Sequence, residues 1–167
     1  MKSTLKLLTL LLVILVFSCG GGESDKKEDA KVKLKKQKTE KKVEAKKTTK
    51  PSETIDLTNK GIGPIKSLTL ASEIDQAMVT KGADVFKKMC TACHKIGKKF
   101  IGPAPNGILK RRTPEWVMNM ILDPEGMVKN DQLARDLLME FNGSPMANQN
   151  LTEEEARAVL EYFRTLN

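Results

Sequence analysis

Cys90-Thr91-Ala92-Cys93-His94 is the stretch of this 167-residue chain whose residue types and spacing could do chemistry. Two thiols three positions apart fall on nearly one face of a helical turn, so both can bond the same planar group. The imidazole in the next position then points at the centre of that group. Cys-x-x-Cys-His is the attachment pattern of a c-type haem, with two thioethers to one porphyrin edge and the histidine on the iron. His94 is the only histidine in the chain, so the sequence predicts one such haem and no bis-histidine ligation. Two other uses of a Cys-x-x-Cys pair fit less well. A structural zinc site takes four Cys or His ligands, and three are present here. A redox dithiol follows a strand in a βαβ pattern, and no such alternation surrounds residues 80 to 95.

The third cysteine, Cys19, belongs to an export signal. Lys2 and Lys6 precede an apolar run from Leu7 to Phe17, broken only by Thr9. That run falls short of the about 20 apolar residues of a bilayer span. It ends in Val16-Phe17-Ser18-Cys19 and three glycines, which resembles a lipoprotein signal; an ordinary secretory signal is the alternative. Residues 1–18 are read as a lipoprotein signal peptide, cleaved so that Cys19 becomes a lipid-bearing N-terminus. With haem on Cys90 and Cys93, no thiol is left for a disulfide.

Residues 19–50 read as a lipid-anchored, Lys-rich disordered tether. Between 23 and 50 there are twelve lysines and six acidic residues with few apolar side chains, too little to offset the entropy of ordering. As a flexible chain this stretch spans roughly 30 Å. Its lysines either stay solvated or rest on anionic headgroups. The tether and the signal carry the whole net charge of +8, because residues 51–167 hold fifteen basic and fifteen acidic side chains. The basic pI of 9.4 therefore does not signal a nucleic-acid-binding domain.

Helices must position the motif. Residues 51–76, with Gly61, Gly63 and Pro64, form an irregular lead-in that carries no recognisable role. Ser72 is placed to cap a helix with Asp75 at its third position, and Val85, Phe86 and Met89 continue at helical spacing. Gly97 to Leu109 is a Gly- and Pro-rich loop. Thr113 and Pro114 start a helix through Leu122, stopped by Asp123-Pro124. Leu133, Leu137, Leu138 and Phe141 mark another, ended by Asn142-Gly143. Thr152 and Glu155 form a capping box ahead of a stripe of Ala156, Val159, Leu160 and Phe163. The expectation is an all-α fold of about four short helices, whose small apolar core a buried porphyrin completes.

The order of these motifs resembles a class I (monohaem) cytochrome c in an exported lipoprotein form, over a domain of residues 77–167. Gly82-Ala83-Asp84-Val85-Phe86 precedes the cysteine motif, Ile101-Gly102-Pro103 follows it, and Gly107 to Trp116 comes next. Ser144-Pro145-Met146 then leads into Leu151-Thr152-Glu153-Glu154-Glu155 and a last helix with Tyr162. The resemblance implies Met146 as second axial ligand, with Met127 as the competing methionine and Met118 and Met120 as packing around the haem. It implies that the Pro103 carbonyl accepts the His94 Nδ1–H, and that Arg111, Arg112 and Trp116 approach the haem carboxylates, with either arginine facing inward. Gly82, Phe86 and Tyr162 match the contact between first and last helices.

The implied function is a membrane-tethered one-electron carrier between respiratory partners, a donor and a terminal reductase or oxidase. It is an electron-transfer protein rather than an enzyme, exported and lipid-anchored on the periplasmic or cell-envelope side, with no nucleic-acid partner. Residues 81–112 hold nine basic side chains and one acid, and 115–161 hold ten acids and three bases, a polarity that could orient docking. The rival readings are an open-sited haem domain for gas or peroxide chemistry, and a haem subunit of a larger reductase or oxidase.

Overall fold

A computed structural model describes residues 49–167. The expected signal peptide, Cys19 and all but the last two residues of the expected tether lie outside the described residues. Among the described residues five α-helices follow in order: α1 Gln76–Met89, α2 Pro114–Leu122, α3 Pro124–Asn130, α4 Gln132–Glu140 and α5 Glu153–Arg164, with a 3-10 turn Ile108–Lys110 before α2. Among the described residues there is no strand beyond two isolated bridges, Asp56 with Arg112 and Lys95 with Lys98. The all-α expectation therefore holds. None of the described helices is long and apolar enough to cross a membrane.

Side-chain caps set most of the helix starts. Asp75, not Ser72, caps α1: its carboxylate accepts the N–H groups of Ala77 and Met78 at 2.9 and 3.0 Å. The Ser72 carbonyl is engaged elsewhere, by Arg164 at 3.3 Å. Thr113 Oγ1 accepts the Trp116 N–H at 3.1 Å with Pro114 in the first turn, so α2 begins where the sequence places it. Asp123-Pro124 stops α2 but also starts α3, a helix the sequence reading missed. Asp123 accepts the Gly126 N–H at 2.9 Å and Pro124 takes the first position, repeating the Thr113-Pro114 device. Asp131 does the same for α4 through Ala134 N–H at 2.8 Å. The turn at Asn142 and Gly143 (φ 58° and 71°) closes α4, and the Thr152–Glu155 capping box opens α5.

The fold is built on the crossing of α1 and α5. Gly82 lets the two backbones touch: a Cβ there would stand 2.0 Å from the Ala158 carbonyl oxygen. Beside it the Phe86 ring lies 5.7 Å, centre to centre, from both Tyr162 and Phe163. Trp116, Val117, Met118 and Ile121 of α2 join Ala156, Val159 and Leu160 of α5 in one buried cluster with Met127 and Ala134.

The lead-in is irregular and forms a structural strap. Ile65 enters the same core cluster. Asn119, fully buried on α2, donates to the carbonyls of Lys60 and Ile65 and accepts the Ile65 N–H, so one amide closes three backbone groups. Thr113 donates to the Asn59 carbonyl at 2.6 Å, and the Asn59 amide reaches Asp131 at 2.7 Å. Further along, Leu68 N–H donates to Glu115 at 3.1 Å, and Arg164 of α5 donates to the carbonyls of Ala71, Ser72 and Glu73.

Candidate functional site

α1 ends at Met89 with Cys90 as its C-cap, so the cysteine motif occupies the turn after the helix rather than the helix itself. That turn stays helix-like where it matters: the N–H groups of Cys93 and His94 both donate to the Cys90 carbonyl, at 3.1 and 2.9 Å. Cys90 is half-buried and Cys93 exposed. Burial, and then the neighbouring Cys93, push the Cys90 thiol up to about 11, so it is protonated at neutral pH. A redox-active dithiol needs the opposite shift, toward thiolate. Among the described residues no three His, Cys, Asp or Glu side chains converge on one point, which does not fit a zinc cage.

His94 is oriented by the loop that follows it. Its Nδ1 lies 2.8 Å from the Pro103 carbonyl oxygen. A carbonyl can only accept, so Nδ1 carries the proton and Nε2 keeps its lone pair for a metal. Gly102 lies flat against the ring: a Cβ there would stand 2.5 Å from His94 Cε1, and its N–H donates to the Cys93 carbonyl at 2.9 Å.

These residues line a mostly apolar cleft with about 1100 Å³ free of protein atoms, part of it open to solvent. Cys90, Cys93, His94 and Pro103 share it with Pro145 and Met146 from the segment before α5. Met120, Val128, Leu137 and Leu138 supply apolar wall from α2, α3 and α4, and Phe141 adds to it just after α4. Met146 is half-buried in that wall. Met127 is not there: it is fully buried in the core, and its sulfur accepts the Ile62 N–H at 3.0 Å. Met118, expected in the pocket, is core as well.

Arg111, Arg112 and Trp116 also line the cleft, with different freedoms. The Trp116 indole N–H donates to Asp131 at 3.3 Å, so this expected donor is engaged within the core and offers the cleft only its ring. The Arg112 guanidinium sits 5.3 Å over that ring. Its Nη1 donates to the carbonyls of Thr54 and Arg111, and its Nη2 to that of Pro51 at 2.6 Å. Arg111 Nη2 donates to the Asn106 carbonyl at 3.1 Å. The Nε atoms of both arginines are buried without a partner. Orphaned cationic donors in an apolar cleft are costly unless an anionic group meets them. A flat, largely apolar cofactor bearing carboxylates fits this chemistry. Ser52 of the strap lines the cleft too, a residue the sequence reading passed over because nothing local marks it.

A family model described as Cytochrome c matches residues 79–167. No curated protein matches the chain. Among solved structures the chain is similar to a cytochrome c from Rhodothermus marinus, with 41% identity and a TM-score of 0.60 over 62% of this chain and 89% of that one. It is also similar to an engineered cytochrome c from that organism bound to a carbene intermediate, with 40% identity and a TM-score of 0.58 over 62% of this chain and 89% of that one.

Proposed function

This chain belongs to the cytochrome c family, and from that premise we propose that it is a membrane-tethered one-electron carrier with His94 and Met146 as its axial ligands. Haem-based electron transfer is the chemistry of the family, and the haem is covalently attached. Cys90 and Cys93 are the thiols in place to hold it. When bound, the haem supplies a one-electron iron couple, and methionine opposite histidine raises its potential. The chain's own residues do the rest. The Pro103 carbonyl keeps the His94 proton on Nδ1, Leu137, Leu138 and Phe141 give the cleft apolar wall, and the unpartnered Nε atoms of Arg111 and Arg112 would receive the haem carboxylates.

The observation that carries this reading is that Met146 shares one cleft with His94 and both thiols, while Met127 is used up in the core. A thioether from Met146 would fill the coordination position a substrate would otherwise take, which favours a carrier over gas or peroxide chemistry. The ferric protein is expected to show the weak near-infrared charge-transfer band of methionine ligation, and the ferrous protein to resist carbon monoxide. Ready carbon monoxide binding by the wild type would make the open-site reading the better one.

Docking follows from the surface around the motif. Ile96 and Phe100 are exposed there, at 42% and 48%, among the exposed lysines 87, 88, 98 and 99. Exposed apolar side chains and lysines near one another in the sequence suit a brief encounter with an acidic patch on a respiratory donor or a terminal reductase or oxidase. The tether and a lipid on Cys19 hold the carrier at the membrane, on the exported side, at high effective concentration. Cys19→Ser is expected to release the protein into the soluble exported fraction with its spectrum intact.

A further inference from the structure

The strap carries apolar side chains that the core does not use. Ile55, Leu57 and Ile62 are 68%, 55% and 44% exposed, three large apolar residues within eight positions. The other exposed ones among the described residues stand elsewhere: Met89, Ile96, Phe100 and Ile101 flank the cysteine motif in sequence, and Met139 is on α4. A single exposed apolar side chain is ordinary, but several together outside the core mark a contact surface. None of the three lines the cleft of the thiols and His94, so a haem there would leave them uncovered.

Their outward position is built into the backbone. The Asp56 N–H donates to the Arg111 carbonyl at 2.9 Å, and Asp56 forms a parallel bridge with Arg112, which makes this stretch extended. Alternate side chains of an extended chain leave on opposite sides. Thr54 and Asp56 are accordingly half-buried, and Glu53, Ile55 and Leu57 face solvent. The chain is tied down on either side. The Ser52 N–H and O–H donate to Glu140 of α4 at 2.7 and 2.6 Å, and the Asp56 carboxylate accepts the Thr58 and Asn59 N–H groups at 3.0 Å. The Ile62 N–H is held by the Met127 sulfur at 3.0 Å. A backbone already fixed in place loses little freedom when a surface covers it.

Charge and chain continuity indicate what covers these residues. Lys50, Lys60 and Lys66 are exposed beside them in the sequence. The one acid on the outward side, Glu53, is met by Lys50 at 3.4 Å, and the Asp56 carboxylate is engaged by the strap itself. Lys60 also reaches the buried Glu115 at 3.2 Å. Immediately upstream, residues 23–50 add twelve lysines against six acids. Apolar side chains next to lysines suit the interface of a bilayer with anionic headgroups, where the first enter the acyl boundary and the second meet the phosphates. We propose that Ile55, Leu57 and Ile62 are a lipid-facing edge of the strap, by which the domain rests on an anionic bilayer with one side of the fold turned toward it. The proposal rests on the tethered-carrier reading, in which the chain that enters at Lys50 comes from the membrane. The bonds of Ser52 to α4 then pass that orientation to the cleft.

The test is co-sedimentation with vesicles of equal parts phosphatidylglycerol and phosphatidylcholine. It uses the full-length haem protein carrying Cys19→Ser, so that no lipid on Cys19 contributes. This parent is expected to bind, and to bind more weakly to vesicles of phosphatidylcholine alone. Ile55→Ser combined with Leu57→Ser should lower the partition on the order of tenfold with the absorption spectrum unchanged. Ile55→Ser alone should lose part of the binding and covers the case in which the double variant folds poorly. Met139→Ser removes an apolar side chain that is 74% exposed but off the strap, and should bind as the parent does. No binding by the parent, undiminished binding by the strap variants, or an equal loss for Met139→Ser overturns the proposal. A strap variant that binds vesicles fully but exchanges electrons more slowly with a redox protein would assign these residues to a protein partner instead, and overturns it too. A wild-type protein found in the soluble exported fraction would overturn the tethered reading beneath it, whatever the vesicles show.

Discussion

A methionine sulfur can serve iron only if no other demand is made on it, and Met146 and Met127 differ in that respect. Met146 stands in the cleft wall, whereas Met127 is fully buried and accepts the Ile62 N–H. Met146→Ala is therefore expected to abolish the near-infrared band, lower the potential and admit carbon monoxide. Met127→Ala should keep the spectrum and lose about 2–5 kcal/mol of stability in a denaturant titration, the cost of an unfilled core site. If the band disappears with Met127 instead, the ligand assignment is wrong. At this scale the sequence was most legible where chemistry depends on neighbours in the chain. Cys90, Cys93, His94 and Pro103 lie within fourteen positions, and the structure brings them to one cleft. Trp116 was less legible because its N–H serves Asp131, fifteen positions away, and that carboxylate is chosen by the start of α4.

The contact of α1 with α5 depends on one buried carboxylate as much as on Gly82. Glu161 is 0% exposed; it accepts from Arg157 and Arg164 on its own helix and from the Asp75 N–H at the start of α1. Burial works to raise its pKa, but the bonds from Arg157 and Asp75 and the charges of Arg157 and Arg164 hold it below the ordinary glutamate value of 4.5. A pKa lower in the folded state means that ionised Glu161 stabilises the fold above about pH 4.5. That contribution is lost as the pH falls through the folded-state value. Glu161→Gln should accordingly be less stable than the wild type at neutral pH, with the gap closing in acid, as thermal unfolding at several pH values will show. A gap that persists unchanged in acid would rule the carboxylate out as its source. Caps made elements easy to read: Thr113, Asn142-Gly143 and the Thr152–Glu155 box are local. α3 was missed because Asp123-Pro124 is a stop signal for one helix and a start signal for the next, and only the packing of Met127 decides that both apply.

Residues 49–75 could not be read from pattern, since most of their bonds use backbone groups that every sequence possesses. Ile65 is the one buried apolar anchor, and its partner Asn119 reads as an ordinary polar residue on α2. Yet the strap touches α2, α4 and α5, bonding residues 47 to 93 positions away. Such contacts have nothing to close upon until those helices are packed, since the loop entropy must be met before any of the bonds forms. In refolding followed by pulsed hydrogen exchange, the amides of Ile65 and Leu68 should gain protection after those of Ala156 to Leu160. Protection of Ile65 and Leu68 first would contradict this order. Ser52 lines the same cleft as Cys90 and Cys93, so docking of the strap and thioether formation draw on one space. The strap, made before the helices it binds, would then be the last part of the domain to find its place, taking up its side of the cleft after the helices that form the rest of it.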